Sequence, residues 1–215
     1  MARTLKTDIP GPDRRVSVAD VKEKGWEAIF APDLAPPLHL VVEIGFGRGE
    51  FLRHLAEQAP DVAHVGVELS SKRVLKMARR IAKTDERNIR LVCATGEQVL
   101  RELLEEASVE RFWINFPDPW PKKRHHHRRL LQPPLIRQLA RRLKPGGELQ
   151  VATDHEDYAE AIDMALRAEP LLENALAPRA FAREVPGRMH TAYEEMWREE
   201  GRGLHFWTYR RPGRG

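Results

Sequence analysis

The stretch LHLVVEIGFGRGEFLRHLAEQA, residues 38–59, decides the fold of this chain. Its first seven residues are mostly apolar and predict a buried strand, and glycines follow at positions 45, 47 and 49. A helix is predicted over about 49–59, because apolar residues recur on one face and a proline comes directly after it. A strand, a glycine turn and a helix in this order are typical of the first unit of an α/β sheet.

The same alternation repeats along the rest of the chain. Further strands are predicted at 64–69, 89–94, 112–116 and 149–153, each followed by a helical pattern, and two less regular strands near 172–176 and 204–209. Strand–helix alternation with short connections predicts a parallel sheet with helices on both faces. We therefore expect a doubly wound α/β fold with a mostly parallel, seven-stranded sheet in a single domain over 38–215. Residues 1–37, rich in proline and charge, are predicted to form a partly mobile N-terminal arm.

Composition restricts the class of protein. A hydrophobic fraction of 41% over 215 residues supports a real core and excludes disorder. The single cysteine, Cys93, permits no disulfide within the chain, which fits a reducing compartment. Neither a signal peptide nor an apolar segment of about 18 residues is found, so a cytoplasmic protein without a membrane partner is expected.

Charge is concentrated in one region. The chain carries a net charge of +4, but residues 111–150 carry ten Lys or Arg and two acids, which is a net +8. Such a patch is typical of a protein that binds a polyanion. A solvated basic loop explains the charge equally well, so charge alone leaves both interpretations open.

The patch includes WINFPDPWPKKRHHHRRL, residues 113–130. Pro117 and Pro119 remove backbone donors on both sides of Asp118, which predicts a stiff corner where the fourth strand ends. A rigid carboxylate beside Trp120 that opens onto a dense positive patch suggests a site for a nucleobase in a nucleic acid. Trp120 either stacks on a base or packs against the glycine-containing loop at 45–49. The run His125, His126 and His127 is not predicted to bind metal, since consecutive side chains point different ways.

The glycine loop indicates which cofactor the sheet binds. A dinucleotide fingerprint would place its third glycine at position 50, where this chain has Glu50, an acid that a pyrophosphate would repel. Glu43 followed by glycines at 45, 47 and 49 instead resembles the first motif of class I S-adenosylmethionine (SAM) methyltransferases. Glu68, at the end of the second strand, is expected to accept from the two ribose hydroxyls, although NAD would use such an acid equally well.

The stretch NFPDPWPKKRHHHRRL (115–130) closely resembles the signature of the tRNA (guanine-N7)-methyltransferase family. The resemblance continues in EIGFGRGEFL (43–52), GVE (66–68), ATD (152–154) and TAYE (191–194). It implies a Rossmann-like class I methyltransferase that transfers the methyl group of SAM to N7 of guanine at nucleotide 46, in the variable loop of tRNA. A tRNA partner, no metal, and a monomer or homodimer are implied with it.

Carried over by position, the resemblance implies site residues. SAM contacts fall at Glu43, Gly45, Gly47, Glu68 and Asp118, and Asp118 is also the implied catalytic residue. Guanine or RNA contacts fall at Lys122, Asp154, Thr191 and Glu194. The acid that the family often uses for the adenine amino group is replaced here by Thr95, so that its hydroxyl or a backbone amide must serve. Surrounding phosphates are expected to contact Lys122 and four further basic residues, Lys123, Arg124, Arg128 and Arg129.

The chemistry of guanine agrees with these residue types. N7 carries a lone pair and no proton, so that Asp118 is expected to position the base and stabilise the developing cation rather than abstract a proton. Asp154 and Glu194 are candidate acceptors for guanine N1–H and its amino group. Because the major groove of A-form RNA is too narrow for side chains, the target base must lie in a loop or be pulled out of the helix.

Three alternatives stay open. The chain could be a SAM-dependent methyltransferase that acts on another base, an exocyclic amine or a protein side chain. It could also be an RNA-binding relative whose cofactor fold is inactive. Asp154, finally, could serve only to cap the helix that follows it.

Overall fold

One mixed sheet organises the computed structural model, which describes residues 7–84 and 86–213. Within these residues the sheet has eight strands, in the order β1-β4-β3-β2-β5-β6-β8-β7. The strands are β1 Arg15–Val16, β2 Leu40–Ile44, β3 Ala63–Glu68, β4 Ile89–Cys93, β5 Val109–Asn115, β6 Leu143–Thr153, β7 Glu173–Asn174 and β8 His205–Arg210. The helices are α1 Val18–Phe30, α2 Glu50–Gln58, α3 Ser71–Ile81, α4 Gly96–Glu102, α5 Pro133–Arg142, α6 Glu156–Arg167 and α7 Ala192–Glu199, with a 3-10 helix at Lys123–Arg128.

The topology confirms the predicted doubly wound α/β fold. Strands β1 to β6 pair in parallel, whereas β8 is antiparallel to both β6 and β7. From β2 the chain first builds outward through β3 and β4, and then returns to add β5 and β6 on the other side. The direction of winding therefore reverses between β2 and β5. In open α/β sheets a ligand cleft lies at this switch point, outside the carboxyl ends of the strands.

The structure has one strand more than the seven that were expected. The additional strand, β1, pairs Arg15 with Leu91 and Val16 with Val92 at the sheet edge. A strand of two residues has no alternating pattern that a sequence could display, which explains why it was not predicted. After it, α1 packs on the sheet through Val21 and Phe30, which are 3% and 0% exposed.

Helices cover both faces of the sheet. One face is covered by α2 and α3, whose apolar side chains pack with Ile89 and Leu91 of β4. The other face is covered by α1, α4, α5 and α6 around a larger core. In the part of the chain that the structure describes, no helix is long and apolar enough to cross a membrane.

Candidate active site

Two adjoining cavities, of about 300 and 400 Å³, lie at the carboxyl ends of β2 and β5. The first cavity extends toward Asp154 and α7, and the second extends toward Glu68 and Thr95. They share one wall, formed by Gly45, Arg73, Asn115, Phe116, Pro117 and Asp118. The cleft at the switch point therefore has two compartments, which can hold two different groups side by side.

The glycine loop forms the edge of this cleft. Gly45 and Gly47 have φ values of +80° and +57°, which favour glycine, and a Cβ on Gly45 would meet no described atom within 4 Å. The third glycine has a different purpose, since a Cβ on Gly49 would lie 2.4 Å from Met77 Sδ on α3. The first two glycines thus leave the backbone open to a ligand, and the third lets α2 pack closely on α3.

Glu43 is buried beneath the loop, with 2% of its surface exposed. Its Oε1 accepts a hydrogen bond of 3.2 Å from Asn115 Nδ2, whereas its Oε2 has no hydrogen-bond partner among the described residues. Burial raises the pKa of Glu43 to about 7, against the hydrogen bond from Asn115 and the positive charge of Arg188. A buried acceptor without a partner on the wall of the first cavity fits a ligand that brings a donor or a positive charge.

Arg188 connects the loop side of the cleft to α7, and the sequence analysis did not identify it. Its Nη2 donates to Asn115 Oδ1 at 2.8 Å, and its Nη1 donates to Glu194 Oε2. The guanidinium lies 4.8 Å from the ring centre of Phe51, and its side chain is 4% exposed. Burial lowers the pKa of Arg188, against the charge of Glu194. A chain of contacts therefore runs from Glu43 through Asn115 and Arg188 to Glu194.

The Thr-x-x-Glu element begins α7. Thr191 Oγ1 accepts from the backbone nitrogen of Glu194 at 3.2 Å, which caps the helix. Glu194 is 0% exposed, and its Oε1 accepts from Arg198 Nη2 at 3.1 Å while Arg188 binds its other oxygen. Two of the four predicted substrate contacts belong to this element. Thr191 lines the first cavity, but Glu194 is not among the described residues that line either cavity. The carboxylate of Glu194 is turned to two arginines because burial without them would leave its charge uncompensated.

Asp154 faces the first cavity from the end of β6. Its Oδ2 accepts from Arg202 Nη1 at 2.7 Å. The N-cap of α6 is His155, and that helix start has no side-chain cap. The alternative in which Asp154 only caps the following helix is therefore not what the structure shows.

Asp118 stands where the two cavities meet. Its side chain is exposed. Within the described residues, 7–84 and 86–213, no side chain or backbone group makes a hydrogen bond or ion pair with its carboxylate. Phe116 and Trp120, on either side, have φ values of +51° and +43°, a left-handed conformation that costs a residue other than glycine about 1–2 kcal/mol. The corner at 116–120 is thus both stiff and strained, as is common where a functional group must be displayed.

Glu68 and Thr95 line the second cavity. Glu68 accepts from Ser70 N at 2.9 Å and from Gly47 N at 3.1 Å, so it also holds the glycine loop in place. Thr95 Oγ1 accepts from Gln98 N at 3.1 Å as the cap of α4. Because that bond uses only the oxygen of Thr95, its hydroxyl hydrogen can still be donated to a ligand.

Four exposed basic side chains follow Trp120 in the chain, and one of them, Arg128, lines the second cavity. Lys122, Lys123, Arg124 and Arg128 are exposed, and the Arg128 guanidinium lies over the ring of Trp120 at 5.0 Å. We call residues 122–128 the basic segment. Trp120 itself lines the second cavity.

Arg129 departs from the expectation that it contacts phosphate. It is only 6% exposed, and its Nε donates to the carbonyl oxygen of Pro119 at 2.8 Å. Its Nη2 pairs with Asp157, and the guanidinium lies 4.8 Å from the ring centre of Tyr158. Arg128 therefore faces solvent, whereas Arg129 faces the core and fixes the corner that displays Asp118.

Aromatic rings form the outer wall of the first cavity. Tyr193 is 41% exposed and stacks with Trp197 at a centroid distance of 5.8 Å. The guanidinium of Arg48 lies 5.1 Å from the Tyr193 ring centre, and Trp197 packs against Phe116 at 4.9 Å. The sequence analysis missed Tyr193, although its spacing of four residues from Trp197 places both on one helix face.

His125, His126 and His127 lie on the 3-10 helix. Throughout the described ranges 7–84 and 86–213, no three His, Cys, Asp or Glu side chains form a group that could hold a metal ion.

The sequence of the chain is similar to those of known methyltransferases. Over residues 38–207 the chain matches a family described as "Putative methyltransferase". It is 41% identical over 165 residues to the tRNA (guanine-N(7)-)-methyltransferase of Acidovorax sp. (strain JS42), covering 77% of this chain and 65% of that protein. It is 39% identical over 185 residues to the protein of the same name from Thiobacillus denitrificans, covering 86% of this chain and 79% of that one.

Solved structures share the fold. The crystal structure of the 16S rRNA methyltransferase KamB matches with a TM-score of 0.62 at 18% identity, over 85% of this chain and 91% of that one. The antibiotic-resistance methyltransferase Kmr matches with a TM-score of 0.57 at 21% identity, over 92% and 94% of the two chains. At this level of identity the likeness concerns the fold alone.

Proposed function

The chain belongs to the tRNA (guanine-N(7)-)-methyltransferase family, and on that premise we propose that it methylates N7 of guanine in tRNA, at nucleotide 46 of the variable loop. The proposed donor is SAM. The observation that carries the proposal is the exposed carboxylate of Asp118, displayed on a strained corner between two adjoining cavities. The second cavity and the Glu43 and glycine-loop wall of the first suit a cofactor, the rest of the first cavity suits a base, and the reaction belongs where they meet.

The residues around the second cavity and the glycine loop fit SAM. Glu43 offers its buried Oε2, which has no partner within the described structure, to the cationic amino group, and Gly45 and Gly47 let the backbone approach the ligand. Glu68 retains lone pairs for the ribose hydroxyls, and Thr95 retains its hydroxyl hydrogen for the adenine ring. When bound, SAM supplies an electrophilic methyl group on a sulfonium.

We assign Asp118 a positioning and electrostatic role. N7 of guanine attacks with its own lone pair, and methylation leaves a positive charge on the purine. A carboxylate held beside that charge stabilises it without reorganisation during the reaction. Orientation of the base can contribute up to about 7–11 kcal/mol, which makes a rigid corner more useful than a strong base.

The first cavity fits a guanine pulled out of the RNA. Tyr193 and Trp197 offer aromatic faces for stacking, and Asp154 offers acceptor oxygens for N1–H and the amino group. Thr191 and Lys122 complete the proposed substrate contacts. Glu194 contributes indirectly, since it fixes Thr191 and pairs with Arg188.

Three side chains of the basic segment are proposed to bind the phosphates around the target nucleotide. Lys123 and Arg124 extend into solvent, and Arg128 lies at the mouth of the second cavity. We exclude Arg129 from this set because its guanidinium is buried against Pro119 and Asp157.

The test is methyl transfer from labelled SAM to an unmodified tRNA transcript, followed by nucleoside analysis. We expect a single 7-methylguanosine product that disappears when the variable-loop guanine is replaced. Asp118→Asn should lower kcat by about 10²–10³-fold, the usual effect of removing one electrostatic group from a transition state. It should leave tRNA affinity within about threefold.

Asp61→Asn is the matched control, since Asp61 is an exposed acid just before β3, at the amino ends of the strands and away from the cleft. Label on adenine or cytosine would move the enzyme to another base and refute the N7 assignment. Tight tRNA binding with neither SAM binding nor methyl transfer would instead support an inactive RNA-binding relative.

A further inference from the structure

Helix α3 carries a second basic surface that the proposed site does not use. Residues 71–83 include six Lys or Arg and no acid. The buried side of the helix consists of Val74, Leu75, Met77, Ala78 and Ile81. Its solvent side therefore carries almost only positive charge. We call Lys72, Lys76, Arg80 and Lys83 the α3 basic face, since all four are exposed and their spacing of four, four and three residues aligns them.

The lysines of this face lack the pairing that is usual on the other helices. The side-chain ammonium groups of Lys72, Lys76 and Lys83 make no hydrogen bond or ion pair with any described residue. Elsewhere, basic residues pair with acids one turn away, as Lys24 does with Asp20 on α1. Three unpaired ammonium groups on one stripe repel one another, a cost that a polyanionic partner would remove.

The α3 basic face adjoins the cleft. Arg73, in the first turn of α3, lines both cavities, and Lys76 follows it at helical spacing. Arg80 Nη1 donates to the carbonyl oxygen of Arg48 at 3.1 Å, and Arg48 lines the first cavity beside Tyr193. Positive charge is therefore continuous from the rim of the cleft along α3.

The two basic surfaces lie on opposite sides of the cleft. Helix α3 packs on one face of the sheet with α2, whereas Leu130 and Leu131, which follow the basic segment, pack with the core on the other face. A strand of RNA whose target base enters the cleft must continue in both directions from that base. Two flanking basic surfaces suit such a strand, whereas a free nucleotide would need neither.

We propose that the α3 basic face binds backbone phosphates of the RNA substrate, on the side of the cleft opposite the basic segment. This inference rests on the proposed function, because it takes the RNA to be the one that carries the methylated base. The face runs from Lys72 on α3 to Lys83 in the turn directly after it, 11 steps along the chain or about 16 Å at 1.5 Å per residue, which accommodates several successive phosphates.

The test is the triple variant Lys72→Gln, Lys76→Gln, Lys83→Gln, which leaves every cleft residue intact. Affinity for tRNA is measured over a range of salt concentrations for this variant and for the wild type. Each lost phosphate contact lowers the slope of log affinity against log salt by about 0.7–0.9, so the slope should become shallower by about 2–3. At about 0.1 M salt this corresponds to roughly a hundredfold weaker tRNA binding. SAM affinity, and kcat at saturating tRNA, should stay within about twofold.

The matched control is Lys22→Gln, Lys24→Gln, Lys144→Gln, which changes the net charge equally. These three lysines line a cavity beside Leu40, where β2 begins. This cavity lies at the amino ends of the strands, whereas the cleft lies at their carboxyl ends. Its salt slope should match that of the wild type, and both triple variants should keep the melting temperature of the wild type.

An α3 variant whose salt slope equals that of the control would overturn the proposal and leave this face for a protein partner. Binding and methylation are read separately, so the two proposals can fail separately. Absence of 7-methylguanosine with the wild-type enzyme would refute the proposed function, whereas the change in salt slope reports on the α3 basic face alone.

Discussion

Replacing Arg188 by Met removes the positive charge between the glycine loop and α7. The side chains of Arg188 and Glu194 are 4% and 1% exposed, and Glu194 would keep Arg198, whose side chain is 25% exposed, and His190 at 3.8 Å. Breaking a buried ion pair by removing one partner typically costs about 3–5 kcal/mol, because the other charge is left uncompensated. Since Arg198 still neutralises part of the charge on Glu194, we expect Arg188→Met to lower the free energy of unfolding by about 3 kcal/mol.

The assay is urea denaturation of Arg188→Met, Glu194→Gln and the double variant. Each single variant leaves one buried polar group without its main partner, whereas the double variant removes both charges. We therefore expect the double variant to lose much less stability than the sum of the two single losses, with a coupling energy of about 2 kcal/mol or more. An unchanged slope of unfolding free energy against urea concentration, the m value, would show that all variants unfold from the same compact state.

Arg141→Met is the matched control. It breaks an ion pair with Glu106 in which the two side chains are 54% and 57% exposed. Such an exposed pair is screened by solvent, and its loss should cost less than about 1 kcal/mol. If Arg188→Met costs no more than this control, or if the coupling energy is near zero, then Arg188 is not the connection described above.

Two further predictions concern Glu43 and Arg129. Because the pKa of Glu43 is raised to about 7 from its ordinary 4.5, the folded protein holds this proton longer than the unfolded chain; stability from this group should fall as pH rises from about 4.5 to 7. The measurement is the difference in unfolding free energy between the wild type and Glu43→Gln at each pH in this range. Buried histidines affect both proteins equally and so cancel in this difference. A difference that does not change with pH would contradict the prediction. Arg129→Met should cost about 1.5–3 kcal/mol of stability through its lost hydrogen bonds, with no change in the salt slope of tRNA binding. Arg128→Met should do the reverse, lowering the slope by about one unit, and similar effects of the two variants would refute the distinction.

The sheet was predictable because its signals are local. Buried strands such as β2 and β3 are apolar runs that end in glycine or an acid, and each is followed by a helix with an apolar face. The glycine loop and the Pro-Asp-Pro corner can also be recognised from the local sequence, since each needs special backbone conformations within a few residues. The placement of Glu43, Asp118 and Asp154 around one cleft follows from the rule that parallel strands share a carboxyl edge.

The exposure of individual charges was not predictable from local pattern. Arg128 and Arg129 are adjacent and identical in type, but one faces solvent and the other lies between Pro119 and Asp157. The identity of its neighbour in space, which lies 28 residues away for Asp157, decides which side an arginine takes. For the same reason, the sequence does not show which lysines of the α3 basic face lack an acidic partner.

What the sequence alone determined is the succession of strands β2 to β6 with their helices and the motifs at strand ends, because each depends on residues close together in the chain. What only the tertiary structure decided is how distant side chains combine. Arg188 comes from an irregular loop, yet it joins Asn115, 73 residues earlier, to Glu194 on α7. No periodicity marks such a residue, since its role arises from burial among charges that the fold brings together.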